Sequence, residues 1–306
     1  MSADAWGGTV VRMAALAVLT LLILWLIFLV PQVPRADRAW VPEHRRLARA
    51  EFHGDSLVTI RDLRDFTYTS ETEFTEAYAD RTYDLARIES AWFILTPFSS
   101  RWRGPAHAFV SFGFGDGQYV AVSVEARREA GETYGVVAGM LRRYELAYIV
   151  GTERDLIGRR ALYDGDDVYL YPIETSRERV RQLFVEMLRR GNALQERPEF
   201  YNTLTSNCTS NLVDHVNRMI PGRIPASLKT LLPGYADELA LSLGLIENGG
   251  SVDEVRARFR INDRARDARP GDDFSAVIRG LASPLSASPS SPAIPPDSSP
   301  HQVRTP

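Results

Sequence analysis

The spacing of apolar positions along this chain changes twice. From Met13 to Val30 ("MAALAVLTLLILWLIFLV") there is no period at all, only an uncharged and almost wholly apolar run. As a helix it would be roughly 27 Å long, close to the thickness of a bilayer core, and it predicts a transmembrane anchor over 11–30. It is long for the apolar part of a cleaved leader, and the "PQVPRADRAW" that follows offers no small-residue cleavage site. A basic, proline-containing linker (31–50) comes next, and then a period of two: "SLVTI", "DFTYT", "SAWFIL", "HAFVSFGF", "QYVAVSVEA", "YELAYIV" and "VYLYPI" read as strands.

The period then lengthens towards 3.6. Thr175 and Glu178 are spaced as a capping box before a helix whose Val180, Leu183, Phe184, Met187 and Leu188 share one face. A second helix carries Leu212, Val213, Val216, Met219 and Ile220, and Ser251 with Glu254 caps a later one. Strands followed by helices predict an α+β domain over 51–280, an antiparallel sheet packed against helices. The Ser/Pro-rich tail 281–306 is expected to be disordered.

The segment "HAFVSFGF-GDG-QYVAVSVEA" is a hairpin whose register can be derived. Ala108, Val110, Phe112 and Phe114 alternate on one face of the first strand, and Val120, Val122, Val124 and Ala126 do so on the returning strand. The two sets share a face only if Gly115-Asp116-Gly117 is a three-residue loop pairing Phe114 with Gln118. His107 then lies opposite Glu125, with Cβ atoms roughly 5 Å apart. Such a pair suits either a polar contact on a solvated face or a carboxylate that orients an imidazole.

Composition narrows the chemistry. The chain has 306 residues, 44% of them hydrophobic, and a net charge of −3, so no basic field points to nucleic acid. No His/Asp/Glu cluster has metal-ligand spacing, and neither metal nor cofactor is expected. A single cysteine, Cys208, excludes an internal disulfide. It stands in "YNTLTSNCTSNLVDHVN", where Ser206 or Asn207 can cap the helix and leave Cys208 in its first turn. Unpaired N–H groups there favour a thiolate and can receive an oxyanion; a buried, inert thiol is the plain alternative. Among the histidines, His215 is about 10 Å along the same helix, too far for a hydrogen bond. His301 falls in the tail, His44 beside the anchor, and His53 has no companion. His107, with Glu125 opposite, is the best base, which makes Cys208, His107 and Glu125 a nucleophile, base and orienter.

With those residues in view, the chain resembles the Lnb N-terminal periplasmic domain family of bacterial membrane proteins. The resemblance is carried by "AHAFVSFGFGDGQYVAVSVEARRE", "ELAYIVGTERDLIGRR", "VYLYPI", "EFYNTLTSNCTSNL", "LLPGYADELA" and "RFRINDRARDARPGDDFSAVIRG", across about residues 57–280. It implies a circularly permuted papain-like thiol fold in which the strand histidine precedes the helix-start cysteine, with Cys208 as nucleophile and His107 as base. It also implies an acyltransferase that takes an acyl group from a membrane phospholipid and passes it to an amine, such as the N-terminal amine of a lipoprotein. No second apolar run follows the domain, so hydrolysis with water as acceptor stands beside transfer. A cell-wall amidase or peptidase using the same residues, and a non-catalytic envelope binding module, are the alternatives. Arg127, Arg159, Arg160 and Tyr201 are candidate substrate contacts, set against a solvated or core role for each. Placement is contested. Arg12 stands alone before the run while Arg35, Arg38, Arg45, Arg46 and Arg49 follow it, and that count puts the domain in the cytoplasm. The resemblance implies the reverse: a single-pass protein of the inner membrane with its domain in the periplasm.

Overall fold

The computed structural model describes residues 3–28, 32–98, 104–227, 229, 232–247 and 249–281. A long helix, α1 (Ala3–Phe28), leads into a strap that holds the short helix α2 (Pro42–Arg45). Strands β1 (Arg49–His53), β2 (Leu57–Arg64), β3 (Thr67–Tyr68), β4 (Phe74–Thr75), β5 (Tyr78–Asp84), β6 (Ile88–Pro97), β7 (Ala106–Phe114) and β8 (Tyr119–Arg127) follow. Then come α3 (Val136–Met140), β9 (Glu145–Gly151), α4 (Glu153–Leu162), β10 (Tyr169–Pro172), α5 (Arg177–Glu196) and α6 (Cys208–Met219). The helices α7 (Ala236–Ser242), α8 (Val252–Phe259), α9 (Asn262–Asp267) and α10 (Phe274–Ile278) close the described chain.

This is an α+β fold, but its sheet is mixed rather than antiparallel. The order is β1-β2-β9-β8-β7-β6-β10, with β5 also on β2, and β2 meets β9 in parallel at Arg64 and Gly151. That joint is pinned by charge. Arg64 donates from Nε and Nη2 to the two oxygens of buried Asp155, at 2.8 Å each, and Asp155 also accepts the Phe66 N–H. No alternation of apolar residues announces such a pairing, because the contact is one residue long and held by side chains.

The β7–β8 hairpin has the register its loop length predicts. Phe109 pairs with Ser123 and Gly113 with Tyr119, and the Phe114 N–H donates to the Gln118 carbonyl at 2.9 Å. Gly117 completes the turn at φ +81°, where a side chain would be strained. Every residue of β7 is buried, because both faces of the sheet are covered. Ala108, Val110 and Phe112 pack under α5 and α6, whereas Phe109 and Ala121 pack with α4, α9 and α10.

Two helix starts were legible to different degrees. Ser251 and Glu254 form the reciprocal cap of α8, but α5 is capped by Ser176, one residue beyond the Thr175 that spacing alone selects. The side chain of Ser176 accepts the Arg179 N–H.

No helix among the described residues is long and apolar enough to cross a membrane. Residues 29 and 30 of the apolar run, like the tail from 282 to 306, lie outside the described residues. The linker, in turn, is part of the domain. The Trp40 ring packs under the Arg127 guanidinium at 4.0 Å, and residue 40 bridges to Glu129.

Candidate active site

Cys208 is the first residue of α6, and the helix starts there because Asn207 stops the chain. The Asn207 side chain accepts the Ser210 N–H at 2.9 Å, and the Ser210 hydroxyl accepts the Asn207 N–H at 2.8 Å. Asn207 Nδ2 donates to the Thr203 carbonyl, and Asn207 fills the capping role read for it. Ser206 does not cap the helix. Its hydroxyl accepts from Asn211 and faces a separate pocket with Tyr148 and His215.

His107 is the second residue of β7. By strand parity it belongs with Phe109, on which its ring stacks at 5.3 Å, on the face opposite α6. The thiol and the imidazole meet round the end of the strand, where both line one cavity and each shifts the other's protonation. A longer strand would separate them.

On its other side the imidazole is held by a relay. Ser123 donates to Glu125 Oε1 at 2.7 Å, so its oxygen, 2.7 Å from His107 Nε2, must accept from that nitrogen. Nε2 thus carries a proton, and Nδ1 is the nitrogen left to exchange one with the thiol. Glu125 Oε1 is also 3.3 Å from Nε2 directly, as expected for the residue opposite His107 one step along the ladder, and 3.3 Å from Arg160 Nη2.

Electrostatics follow from these contacts. Burial raises the Cys208 pKa, but the His107 hydrogen bond and charge, the Ala108 N–H and Thr209 outweigh it and leave the thiol below its ordinary value. Burial and Arg160 lower the His107 pKa; Glu125 and the thiol overcome them and leave it raised. Burial also opposes the Glu125 carboxylate, yet His107 and Arg160 hold its pKa well below the usual range. All three shifts favour a thiolate–imidazolium pair backed by a carboxylate.

The group opens on a cavity of about 200 Å³ that is lined by His107, Ser123, Glu125 and Cys208. Tyr201 joins them, with its hydroxyl 3.2 Å from that of Tyr134. First burial and then the nearby sulfur push the Tyr201 pKa up, so it stays a protonated donor.

Two of the candidate arginines also reach the cavity, although both are paired: Arg160 with Glu125, and Arg159 with Glu43 and Asp164. Arg127 is elsewhere. Its guanidinium donates to the His44 carbonyl and supports the strap, and its neighbour Arg128 lines the cavity instead. Arg128 has no ion pair among the described residues.

His44 was absent from the sequence-derived group because its number places it beside the anchor. Hydrogen bonds from Arg127 to the His44 carbonyl and from Arg64 to the Glu43 carbonyl fold the strap over the cavity. His44 then forms part of its wall, with Nδ1 accepting the Arg128 N–H at 3.0 Å. The roles of Ser123 and Tyr134 were missed too. Ser123 shares the His107 face in the hairpin register, which was the available signal; nothing local flags Tyr134.

The model of the Lnb N-terminal periplasmic domain matches residues 74–234. The chain belongs to this family. The Lnb match contains Cys208, His107, Ser123, Glu125, Tyr134 and Tyr201, but not the strap that brings Glu43 and His44 to the cavity. Membership supports an extracytoplasmic location. No curated protein and no solved structure matches the chain.

Proposed function

We propose that this Lnb-family chain is a membrane-anchored thiol acyltransferase or hydrolase, with a permuted papain-like arrangement, acting on acyl esters of membrane lipids in the periplasm. The observation that carries this reading is that the Cys208 thiol and the His107 imidazole line one cavity, with the imidazole backed by Ser123 and Glu125. A buried structural cysteine has no use for a relay that fixes the tautomer of its neighbour.

The Cys208 thiolate attacks the ester carbonyl, and the tetrahedral oxyanion collapses to a thioester as the C–O bond breaks. The departing lysolipid alkoxide takes the proton from the His107 imidazolium. In the second half an amine attacks the thioester and gives its proton to His107; the thiolate leaves and an amide is released. With water in place of the amine the product is a fatty acid. Arg128, the cavity arginine without an ion pair among the described residues, is the group suited to a lipid phosphate.

In this reading α1 is the anchor, with the apolar run to Val30 completing its span. The arginine count weighs little against a periplasmic domain, because those arginines belong to a folded segment and form ion pairs, most of them at its surface. Arg38 pairs with Glu129, Arg45 with Glu76, Arg46 with Asp62 and Arg49 with Glu196. The charge rule acts on short flanking loops and has little hold on a folded domain.

The test is intact-mass measurement after incubating the full chain with phospholipid vesicles. An acyl adduct on Cys208 is expected, absent in Cys208→Ala and slowed in His107→Ala. No adduct in the wild type, under conditions where iodoacetamide still alkylates Cys208, would overturn the reading.

A further inference from the structure

We infer that the turn carrying Leu204 and the helix α3 form a second membrane contact, an apolar rim seated in the bilayer interface beside the cavity mouth. The inference rests on the anchoring proposed above and extends it to the side of the domain that faces the lipid.

Val136, Val137, Leu141 and Leu204 are exposed, Val137 by 65% and the other three by over 40%. Leu204 is far from the other three in sequence, but its turn is held beside them. The Thr203 hydroxyl donates to the Val136 carbonyl at 2.9 Å, and Asn202 Nδ2 donates to the Met140 carbonyl. These bonds fix the Leu204 turn against α3. Scattered apolar side chains on a surface need no explanation, whereas a contiguous group tied together by hydrogen bonds marks an interaction site.

Two observations identify the occupant as a lipid surface. The first is that the rim adjoins the cavity. Tyr134, just before α3, and Tyr201, just before the Leu204 turn, both line the cavity and touch through their hydroxyls. The second is the path of the chain from α1. The Arg35 N–H donates to Glu145 Oε1 at 3.0 Å, and Arg38 Nε reaches the same oxygen at 3.0 Å. Glu145 opens β9 directly after the α3 turn, and it bridges to Phe200, directly before Tyr201. The stem of the anchor therefore docks at the foot of the rim. Even fully extended, the chain from Phe28 to Arg35 reaches no more than about 25 Å. The anchor thus keeps this end of the domain near the membrane.

Charge agrees with this placement. Arg142, over the Phe200 ring and without an ion pair among the described residues, and Arg143 border the apolar group. Basic residues flanking exposed apolar ones suit an interface that contains anionic headgroups. A substrate ester would then enter the cavity from the bilayer without crossing water.

The full chain, with Cys208→Ser and either Leu204→Cys or Asp116→Cys labelled by an environment-sensitive fluorophore, is reconstituted in phosphatidylethanolamine–phosphatidylglycerol vesicles. Asp116 lies in the β7–β8 turn, at the end of β7 away from His107. Spin-labelled lipid is expected to quench the probe at 204 and leave that at 116 unaffected. If the chain floats with the vesicles but 204 is no more quenched than 116, the rim is overturned and the anchoring stands. If the chain does not float, both fall. As a second readout, Val137→Asp with Leu204→Asp should slow Cys208 adduct formation from vesicle phospholipid roughly tenfold or more, with iodoacetamide alkylation of Cys208 unchanged. An unaltered adduct rate would overturn the inference even if the double variant folds normally.

Discussion

Ser123 Oγ lies 2.7 Å from His107 Nε2, and because its proton goes to Glu125 it can only accept from that ring nitrogen. The hydroxyl thereby selects the imidazole tautomer whose other nitrogen is free for the thiol. Ser123→Ala removes this link and leaves only the 3.3 Å approach of Glu125. A hydrogen bond to a charged group is worth about 1.5–3 kcal/mol, so adduct formation should slow by roughly 10- to 100-fold with little change in melting temperature. An unchanged rate would remove the relay from the mechanism.

The thiol titration gives a second prediction. In the wild type, the midpoint of Cys208 alkylation against pH should fall below the ordinary thiol value, since His107 overcomes the effect of burial. In His107→Ala only the Ala108 N–H and Thr209 remain to oppose burial, and the midpoint should move up. Glu125→Gln should also move it up, by a smaller amount, because it lowers the His107 pKa and with it the population of imidazolium. Iodoacetamide rates between pH 5 and 10 test this. Coincident profiles for all three proteins would contradict the pairing.

The part of this arrangement that could be read from the sequence is the local part. A period of two and a three-residue loop fix a register, and the register puts His107 opposite Glu125 and Ser123 on their face. A capping residue and an apolar stripe place Cys208 at a helix start. The remainder depends on contacts between distant segments. Glu43 and His44 reach the cavity because Arg64, which no motif singles out, and Arg127, read as a candidate substrate contact, donate to strap carbonyls. Arg127 and Arg128 have different duties although they are adjacent: alternation would put Arg127 beside Glu125, but β8 ends at Arg127 and the strap carbonyls take its guanidinium. Ser206 next to Asn207 is another case: the cap turns the chain, and the serine leaves the site.

Asp155 offers a stability prediction away from the chemistry. It is fully buried, takes both prongs of Arg64 and the Phe66 N–H, and holds the sole parallel joint among the described strand pairs. Asp155→Ala leaves the Arg64 guanidinium buried without its partner, at a cost of about 3–5 kcal/mol. Denaturant unfolding should show that loss. A loss below 1 kcal/mol would mean that Arg64 finds water or another acceptor.

His44 makes the fold sensitive to acid in a window that can be stated. Burial, followed by the arginines at 128, 64 and 127, pushes its pKa from 6.5 to about 3 against the pull of Glu125. Its Nδ1 accepts the Arg128 N–H and can do so only while unprotonated. The unfolded chain binds a proton near pH 6.5 and the folded chain does not, so the unfolded state holds more protons between the two values. Stability is therefore undiminished above pH 6.5 and declines as pH falls, by up to about 1.4 kcal/mol per pH unit, until pH reaches about 3. In His44→Asn the side-chain oxygen can still accept the Arg128 N–H, but the titrating group is gone. The stability of the wild type relative to this variant should shrink steadily from pH 6.5 downwards, as measured by melting at successive pH values. If the difference stays constant from pH 7 to pH 4, His44 takes up its proton as readily in the folded chain as in the unfolded one, and the strap does not seal it.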